Sequence, residues 1–331
     1  MNVTPSDQNP LISVICCFYN EEIKYAQESI DSIIHQTYRN LEIILVLDNP
    51  GNTALKQLLA EYTANDNRIT TIFNTCNIGL PQSLNKAIDH CTGDYIARMD
   101  GDDISELNRI SSQLHFMTQN PDIDLCGSDA LIIDENSHIL GIYKKLRTDF
   151  SQKAMLKHAS INLIHPTWFG KTSLFKKIRY RSFWHVEDYD FLLRSYAYGA
   201  TFANIQQPLL QTRINQSAIV SVSRLNAYQQ YRNATIARKQ FCLYLKSHDS
   251  SLPYPDLPDF NYDPEQLKRF NSTVTMVTKL RTQIKKKKLS ALSTAIKIMI
   301  KDHRPITSRI RVLTIYKILN LAEKTKLIPS P

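Results

Sequence analysis

The chain is poor in the residues and runs that would mark it as a stapled, fibrous or membrane-spanning protein. Its six cysteines form no CxxC pair and show no zinc spacing, which excludes a disulfide framework or a zinc-organised fold. Cys16, Cys17, Cys76, Cys91, Cys126 and Cys242 are expected mostly as small buried hydrophobes in a reducing compartment. There are only 8 glycines, and neither a collagen period nor an internal repeat is visible. No apolar run approaches the roughly 20 residues that cross a bilayer. The first ten residues have neither a basic start nor an apolar stretch, so they do not read as a secretory leader. With 43% hydrophobic and 21% charged residues over 331 positions, the chain is expected to form one large α/β domain or two ordinary ones. A cytoplasmic location is expected, including a peripheral position on the inner membrane.

Acidic residues are nearly absent from the C-terminal stretch. From Met276 to Pro331 there are 14 Lys and Arg against 2 Asp and Glu, whereas the first 275 residues carry 26 against 29. The net charge of +9 is therefore a mildly acidic body joined to a basic tail of net +12, which argues against a nucleic-acid-binding protein. Within the tail, the run Lys285 to Lys288 precedes Leu289, Leu292, Ile296 and Ile300 at helical intervals. Two readings stand side by side: helices packing an apolar stripe on the body, or basic amphipathic helices on an anionic membrane surface.

The first half alternates buried strands with amphipathic helices. Strands are expected at Leu11–Phe18, Leu41–Leu47, Arg68–Phe73 and Asp94–Met99, with helices at Glu21–His35, Thr53–Tyr62 and Leu80–His90. Continuous apolar strands of this kind form a parallel sheet covered on both faces, with the ligand beyond the strands' carboxyl ends. Those ends carry Tyr19-Asn20, Asp48 and Asp100 to Asp103. Beyond them the pattern is mixed: a helix at Ser105–Gln119, strands at Asp124–Ile133 and Ile139–Tyr143, and helices at Glu187–Tyr198 and Ser221–Leu245. Prolines at 253, 255, 258 and 264 mark residues 247–264 as a linker or extended wrap.

Met99-Asp100-Gly101-Asp102-Asp103 follows a strand directly. Two carboxylates one residue apart can face a hard divalent cation, Mn²⁺ or Mg²⁺, from one side; the same residues also suit a solvated turn. The order of motifs around them resembles family 2 glycosyltransferases. The resemblance is carried by Ser13 to Glu22, Ser29 to Tyr38, Leu41 to Asp48 and Asn77-Ile78-Gly79-Leu80. It continues through Gly93 to Asp103, Arg109, Asn120-Pro121, Gly127-Ser128, His165-Pro166-Thr167 and Glu187-Asp188-Tyr189-Asp190, covering roughly residues 11 to 215.

The resemblance implies an α/β fold of the GT-A type, with a Rossmann-like nucleotide-sugar half, a mixed central sheet and a C-terminal helical extension. Residues 1–220 would form the transferase domain, with 1–103 as the nucleotide half and 104–220 as the acceptor half. Residues 221–331 would form a helical region ending in the basic tail 276–331. It implies transfer from a UDP-sugar to a hydroxyl of a saccharide or lipid-linked saccharide, with inversion, in bacterial surface polysaccharide synthesis. By this resemblance Asp48 would contact uracil, Tyr19 and Glu22 would line the base and ribose pocket, and Asp100 and Asp102 would hold the metal. Asn77, Asn85, Lys86 and Arg98 would help shape or line the nucleotide crevice. One departure is visible: the family commonly ends its second strand with two adjacent aspartates, but here Leu47 precedes Asp48, which bears on nucleotide preference.

Asp188 is the expected general base, with Glu187 positioning it or the acceptor; carboxylates in a first helical turn also serve simply to oppose the helix dipole. Trp184 can stack on a sugar or sit in the core. His165 and Arg213 can meet acceptor or phosphate, or be a structural histidine and a surface arginine. Two alternatives accompany this reading: a nucleotidyltransferase using the same acidic crevice, and a non-catalytic membrane- or polyanion-binding protein on a transferase scaffold.

Overall fold

The computed structural model describes residues 9–158, 161–183, 185–214, 224–247, 254, 256 and 315–324. β1 (Ile12–Phe18), β2 (Leu41–Leu47), β3 (Ile69–Phe73) and β4 (Tyr95–Asp100) run parallel in the order β3-β2-β1-β4. Successive residues of these strands feed opposite cores. Val14, Cys16, Ile43 and Leu45 face α1 (Ile23–Ile34), α2 (Thr53–Asn65) and α4 (Arg109–Gln119). Ile15, Ile44, Val46 and Ile96 face α3 (Leu80–His90), α6 (Thr172–Ile178) and α7 (Glu187–Ala197). Burial on both faces is why these strands are apolar throughout.

The sheet then becomes mixed. β8 (Phe169–Lys171) pairs antiparallel with β4 and with β6 (Leu125–Ile133). β9 (Phe202–Arg213) runs parallel to β6 and antiparallel to the two-residue β5 (Ile104–Ser105), and β7 (Ile139–Tyr143) forms a hairpin with β6. The parallel arrangement expected of the first half is present, and the described residues form a nine-stranded mixed sheet. The helix expected over 105–119 is shorter. The Ser105 amide donates to Ser32 Oγ at 2.9 Å and Ser105 pairs with Leu210, so the helix starts at Arg109.

α5 (Asp149–Lys157) and α8 (Arg224–Ser247) complete the body; Ala237, Phe241 and Tyr244 of α8 join the core around α7. Within the proline-rich segment, Tyr254 is buried, with its ring tilted against that of Tyr244 at 5.2 Å between centroids. Of the basic tail, residues 315–324 form a helix, α9. Its Leu319 packs with Leu146 and Met155, and the Glu323 carboxylate accepts from the amides of Arg147 and Thr148 at the start of α5. That part of the tail packs on the body; the Lys285 to Lys288 run lies outside the described residues. Cys16, Cys91 and Cys126 are buried as expected, but Cys76 and Cys242 are exposed. No helix among the described residues is long and apolar enough to cross a membrane.

Candidate active site

Parallel register brings β1, β2 and β4 to a common end, with Cys17 opposite both Val46 and Asp100. Beyond that edge lies a cavity of about 380 Å³ whose walls include Tyr19, Glu21, Asp48, Asn77, Asp100 and Asp102. A Cβ at Gly101 would meet the Phe18 ring at 2.6 Å, so glycine between the two aspartates lets the β4 terminus pack against β1. A second cavity of about 350 Å³ shares Tyr19, Glu21 and Asp102 with the first and adds Glu22, Tyr25 and Arg213.

Asp48 is buried at the first cavity, and its carboxylate already accepts from Asn74 Nδ2 at 2.8 Å and the amides of Ile78 and Gly79 at 2.9 and 2.8 Å. Gly79, at φ +83°, starts α3 from the left-handed region. Asn77 Oδ1 accepts from the same Gly79 amide at 3.0 Å. The structure does not bring Asn85 and Lys86 to the cavity wall. Asn85 is spent on the Tyr180 backbone, donating to its carbonyl at 2.7 Å and accepting its amide at 2.9 Å. Lys86 Nζ reaches Asn74 Oδ1 at 2.9 Å and so supports the Asp48 network from behind.

Carboxylates crowd the end of β4. Burial, then the charges of Asp100 and Glu21, push Asp102 up to about 6. Glu21 is raised chiefly by burial, with Asp100 adding to the effect. Asp103, 1% exposed, is raised well above the carboxylate range by burial and by both neighbouring aspartates, while its Oδ1 accepts the Arg213 amide at 2.9 Å. Arg213 is not a surface arginine: it is 7% exposed, lies 4.2 Å from the Tyr25 ring centre, and donates to Glu28 and to the Asp102 carbonyl. Arg98 is also buried and pairs with Asp100 at 2.5 Å, while its Nε and Nη1 have no partner among the described residues.

Among the described residues, no three His, Cys, Asp or Glu side chains converge into a ready-made metal cage. Asp100 and Asp102 nevertheless fit a divalent cation. They are hard oxygen donors on one cavity wall, their mutual repulsion would be relieved by a cation, and two protein ligands leave positions for phosphate oxygens and water.

The start of α7 supplies a second acidic pair. His185 at φ +64° turns the chain immediately before it, a left-handed conformation uncommon for a side-chain-bearing residue. Burial, then the Glu187 charge, push Asp188 up to about 7, partly offset by the Tyr189 amide, which donates to Asp188 Oδ1 at 2.7 Å, and by Arg98. Burial raises Glu187; Arg98 pulls it down and Asp100 pushes it up, so the pair feels the charges at the end of β4. The third acid of this turn, Asp190, is fully buried and bonded to Arg181 and Arg194. Asp190 is thus held by arginines, whereas Glu187 and Asp188 have no ion pair among the described residues. His165 is buried against Trp168, with Nε2 2.9 Å from Tyr180 Oη. Burial, then Arg98, hold it well below the usual histidine range. Trp184 lies outside the described residues. Glu21 and Tyr180 are not among the residues that the sequence marks for the site. Glu21 stood two places after Tyr19, where a strand-end carboxylate could have been weighed; Tyr180 carries no motif.

A doubly covered mixed sheet with an acidic cavity at its parallel strand ends is the architecture of GT-A enzymes. TarS 1-349 of S. aureus in complex with UDP-GlcNAc superposes with a TM-score of 0.56 at 16% identity, over 96% of this chain and 92% of that one. Residues 13–179 match the model of glycosyl transferase family 2. An uncharacterised glycosyltransferase of Methanocaldococcus jannaschii is 36% identical over 238 residues, 70% of this chain and 82% of the relative. The O-antigen biosynthesis glycosyltransferase WbnJ of Escherichia coli is 31% identical, over 70% of this chain and 89% of its own length. A UDP-Gal:alpha-D-GlcNAc-diphosphoundecaprenol beta-1,3-galactosyltransferase of Escherichia coli is 28% identical, over 72% and 90%. The chain belongs to glycosyl transferase family 2.

Proposed function

We propose that the protein transfers a sugar from a UDP-sugar to a hydroxyl of a lipid-linked saccharide, with inversion, during assembly of a surface polysaccharide. The observation that carries this reading is the pairing of two acidic groups on different elements, Asp100–Asp102 after β4 and Glu187–Asp188 opening α7, near enough for Asp100 and Arg98 to act on Glu187. A nucleotidyltransferase would need only the first. The UDP-Gal donor and diphosphoundecaprenol-linked acceptor of the galactosyltransferase relative and the UDP-GlcNAc in the TarS complex favour a UDP-sugar and a polyprenyl-linked acceptor.

In this mechanism the cavity bounded by Tyr19, Asp48 and Asn77 receives the nucleotide. Asp100 and Asp102 would hold Mn²⁺ or Mg²⁺, which when bound supplies neutralising charge for the departing diphosphate. Asp188 takes the proton of the acceptor hydroxyl as that oxygen bonds to the anomeric carbon. Its Oδ1 is fixed by the Tyr189 amide, which leaves Oδ2 for the proton. A carboxylate pushed to about 7 is basic enough to accept the proton yet largely ionised above neutral pH. One displacement from the face opposite the leaving group inverts the centre. Arg98, too buried to touch substrate, pairs with Asp100 and favours the charged form of Asp188.

The test is UDP release from a panel of UDP-sugars with a polyprenyl-diphosphate saccharide acceptor and Mn²⁺, repeated with EDTA. Acceptor-dependent release that EDTA abolishes supports the reading. Absence of turnover with every donor would point to the non-catalytic alternative.

A further inference from the structure

Half of the large hydrophobic side chains exposed among the described residues gather on three adjoining elements remote in sequence. Ile139 (64% exposed), Leu140, Ile142 and Tyr143 lie on β7, Phe150 on the first turn of α5, and Ile318 (61% exposed) and Leu321 on α9. Contacts join these elements. Tyr316 Oη donates to the Lys144 carbonyl just after β7 at 3.0 Å, and Glu323 accepts the Arg147 and Thr148 amides just before α5. On α9 the exposed residues are Lys317, Ile318, Leu321 and Lys324, an apolar stripe flanked by lysines on the side away from Leu319. Among the described residues β7 pairs only with β6, and it bares apolar side chains at successive positions, so both faces of β7 meet solvent.

We propose that β7 and α9 together form the surface by which the protein sits on an anionic lipid bilayer. Charge favours that occupant over a second copy of the chain. The patch exposes Lys144, Arg147, Lys317 and Lys324 against one exposed acid, Glu135 at the hairpin tip; its other acids are engaged within the fold, Glu323 by backbone amides, Asp149 by Lys153 and Asp129 by Asn204 and the Lys145 amide. Apolar side chains rimmed by lysine and arginine suit the headgroup–acyl boundary of anionic lipid. The same hairpin leads to the site. At its tip Tyr25 Oη donates to the Glu135 carbonyl and Arg213 to the Asp134 carbonyl, and Glu135 lines the second cavity beside Asp102. A bilayer against β7 would therefore hold a membrane-anchored acceptor near the cavity mouth. The inference rests on the lipid-linked acceptor reading and gives it a surface.

Full-length protein is sedimented with phosphatidylglycerol–phosphatidylcholine vesicles and with phosphatidylcholine vesicles alone. The expected result is binding to the anionic vesicles only, lowered at least tenfold in Ile139→Glu/Leu140→Glu and in Ile318→Glu, and weakened by salt in the parent. Transfer to a water-soluble acceptor without a lipid tail should stay within about twofold of the parent in both variants, which shows that they fold. Parent protein that turns over the soluble acceptor but ignores anionic vesicles overturns the surface while leaving the proposed reaction standing. Equal vesicle binding by parent and both variants overturns it too. A parent dimer that the variants convert to monomer assigns the patch to a second copy instead.

Discussion

Nη2 of Arg98 lies 2.5 Å from Oδ1 of Asp100, joining a side chain 2% exposed to one 40% exposed. The guanidinium is buried, one residue before Met99 and on the same strand as the aspartate it holds. Its charge also acts on His165, Glu187 and Asp188. A single buried cation thus links the two acidic groups of the site.

Arg98→Met should therefore change the pH profile as well as the rate. Without the cation, the charged form of Asp188 is less favoured and its pKa rises. The acid limb of kcat/KM should move up by about 0.5–1 unit, so that the deficit approaches tenfold near pH 6 and shrinks towards pH 8.5. Arg98→Lys, which keeps the charge, should leave the limb close to the parent's. An unmoved limb would show that the Arg98 charge does not reach the base.

Asp188→Asn separates chemistry from stability. Loss of a general base should lower transfer by about 10²–10⁴-fold, with UDP affinity measured by calorimetry held within about twofold. Asp188 is pushed from the ordinary aspartate range to about 7 by folding. Between about pH 4 and pH 7 the folded state therefore binds more protons at this group than the unfolded state does, and its contribution to stability falls as pH rises through that window. The asparagine variant should gain stability over the parent at pH 8 relative to pH 5, by about 1–3 kcal/mol in urea unfolding. A gain equal at both pH values would mean that the carboxylate is not raised in the fold.

Asp102 is tested through proton competition with the cation. A carboxylate raised to about 6 must lose its proton to bind Mn²⁺. With UDP present, affinity should be nearly flat above pH 7 and weaken below pH 6 towards about tenfold per unit. Asp102→Asn should bind Mn²⁺ at least ~10-fold more weakly and lose that dependence. Water-proton relaxation of Mn²⁺ titrations at pH 5, 6 and 7.5 gives the comparison directly.

The nucleotide half was legible in the sequence because its strands are buried on both faces, and their apolar runs, the turn residues after β2 and the aspartates after β4 adjoin in the chain. The acceptor half was legible only in pieces. β9 is twelve residues long but shifts register against β6 around Pro208 and bares Gln206 and Gln207, so no strand period survives. β8 is three residues long, and β5 is two. Ser105 followed a helical pattern locally, yet Ser32 and Leu210 claim it for the sheet. In the site, Asp48, Asp100 and Asp102 were found because strand ends point at ligands. The roles of Asn85 and Arg213 could not be read, since each is set by a partner about a hundred or more positions away, Tyr180 for one and Asp102 and Glu28 for the other.

Asp190 was read in the same acidic motif as Asp188, and the fold gives it the opposite task. Its carboxylate is fully buried between Arg181 and Arg194, and Arg194 also donates to the Ile178 and Arg179 carbonyls, fastening α7 to the end of α6. Replacing it with asparagine strips the charge from between two arginines, and breaking a buried pair from one side costs about 3–5 kcal/mol. Asp190→Asn should therefore lower the urea midpoint substantially, while the folded fraction keeps the parent's acid limb near pH 7. The two aspartates lie two residues apart on one helical turn, and their asparagine variants should move stability in opposite directions at pH 8. If both lower it, then Asp188 is a structural residue like its neighbour, and the proton acceptor must be sought at Glu187.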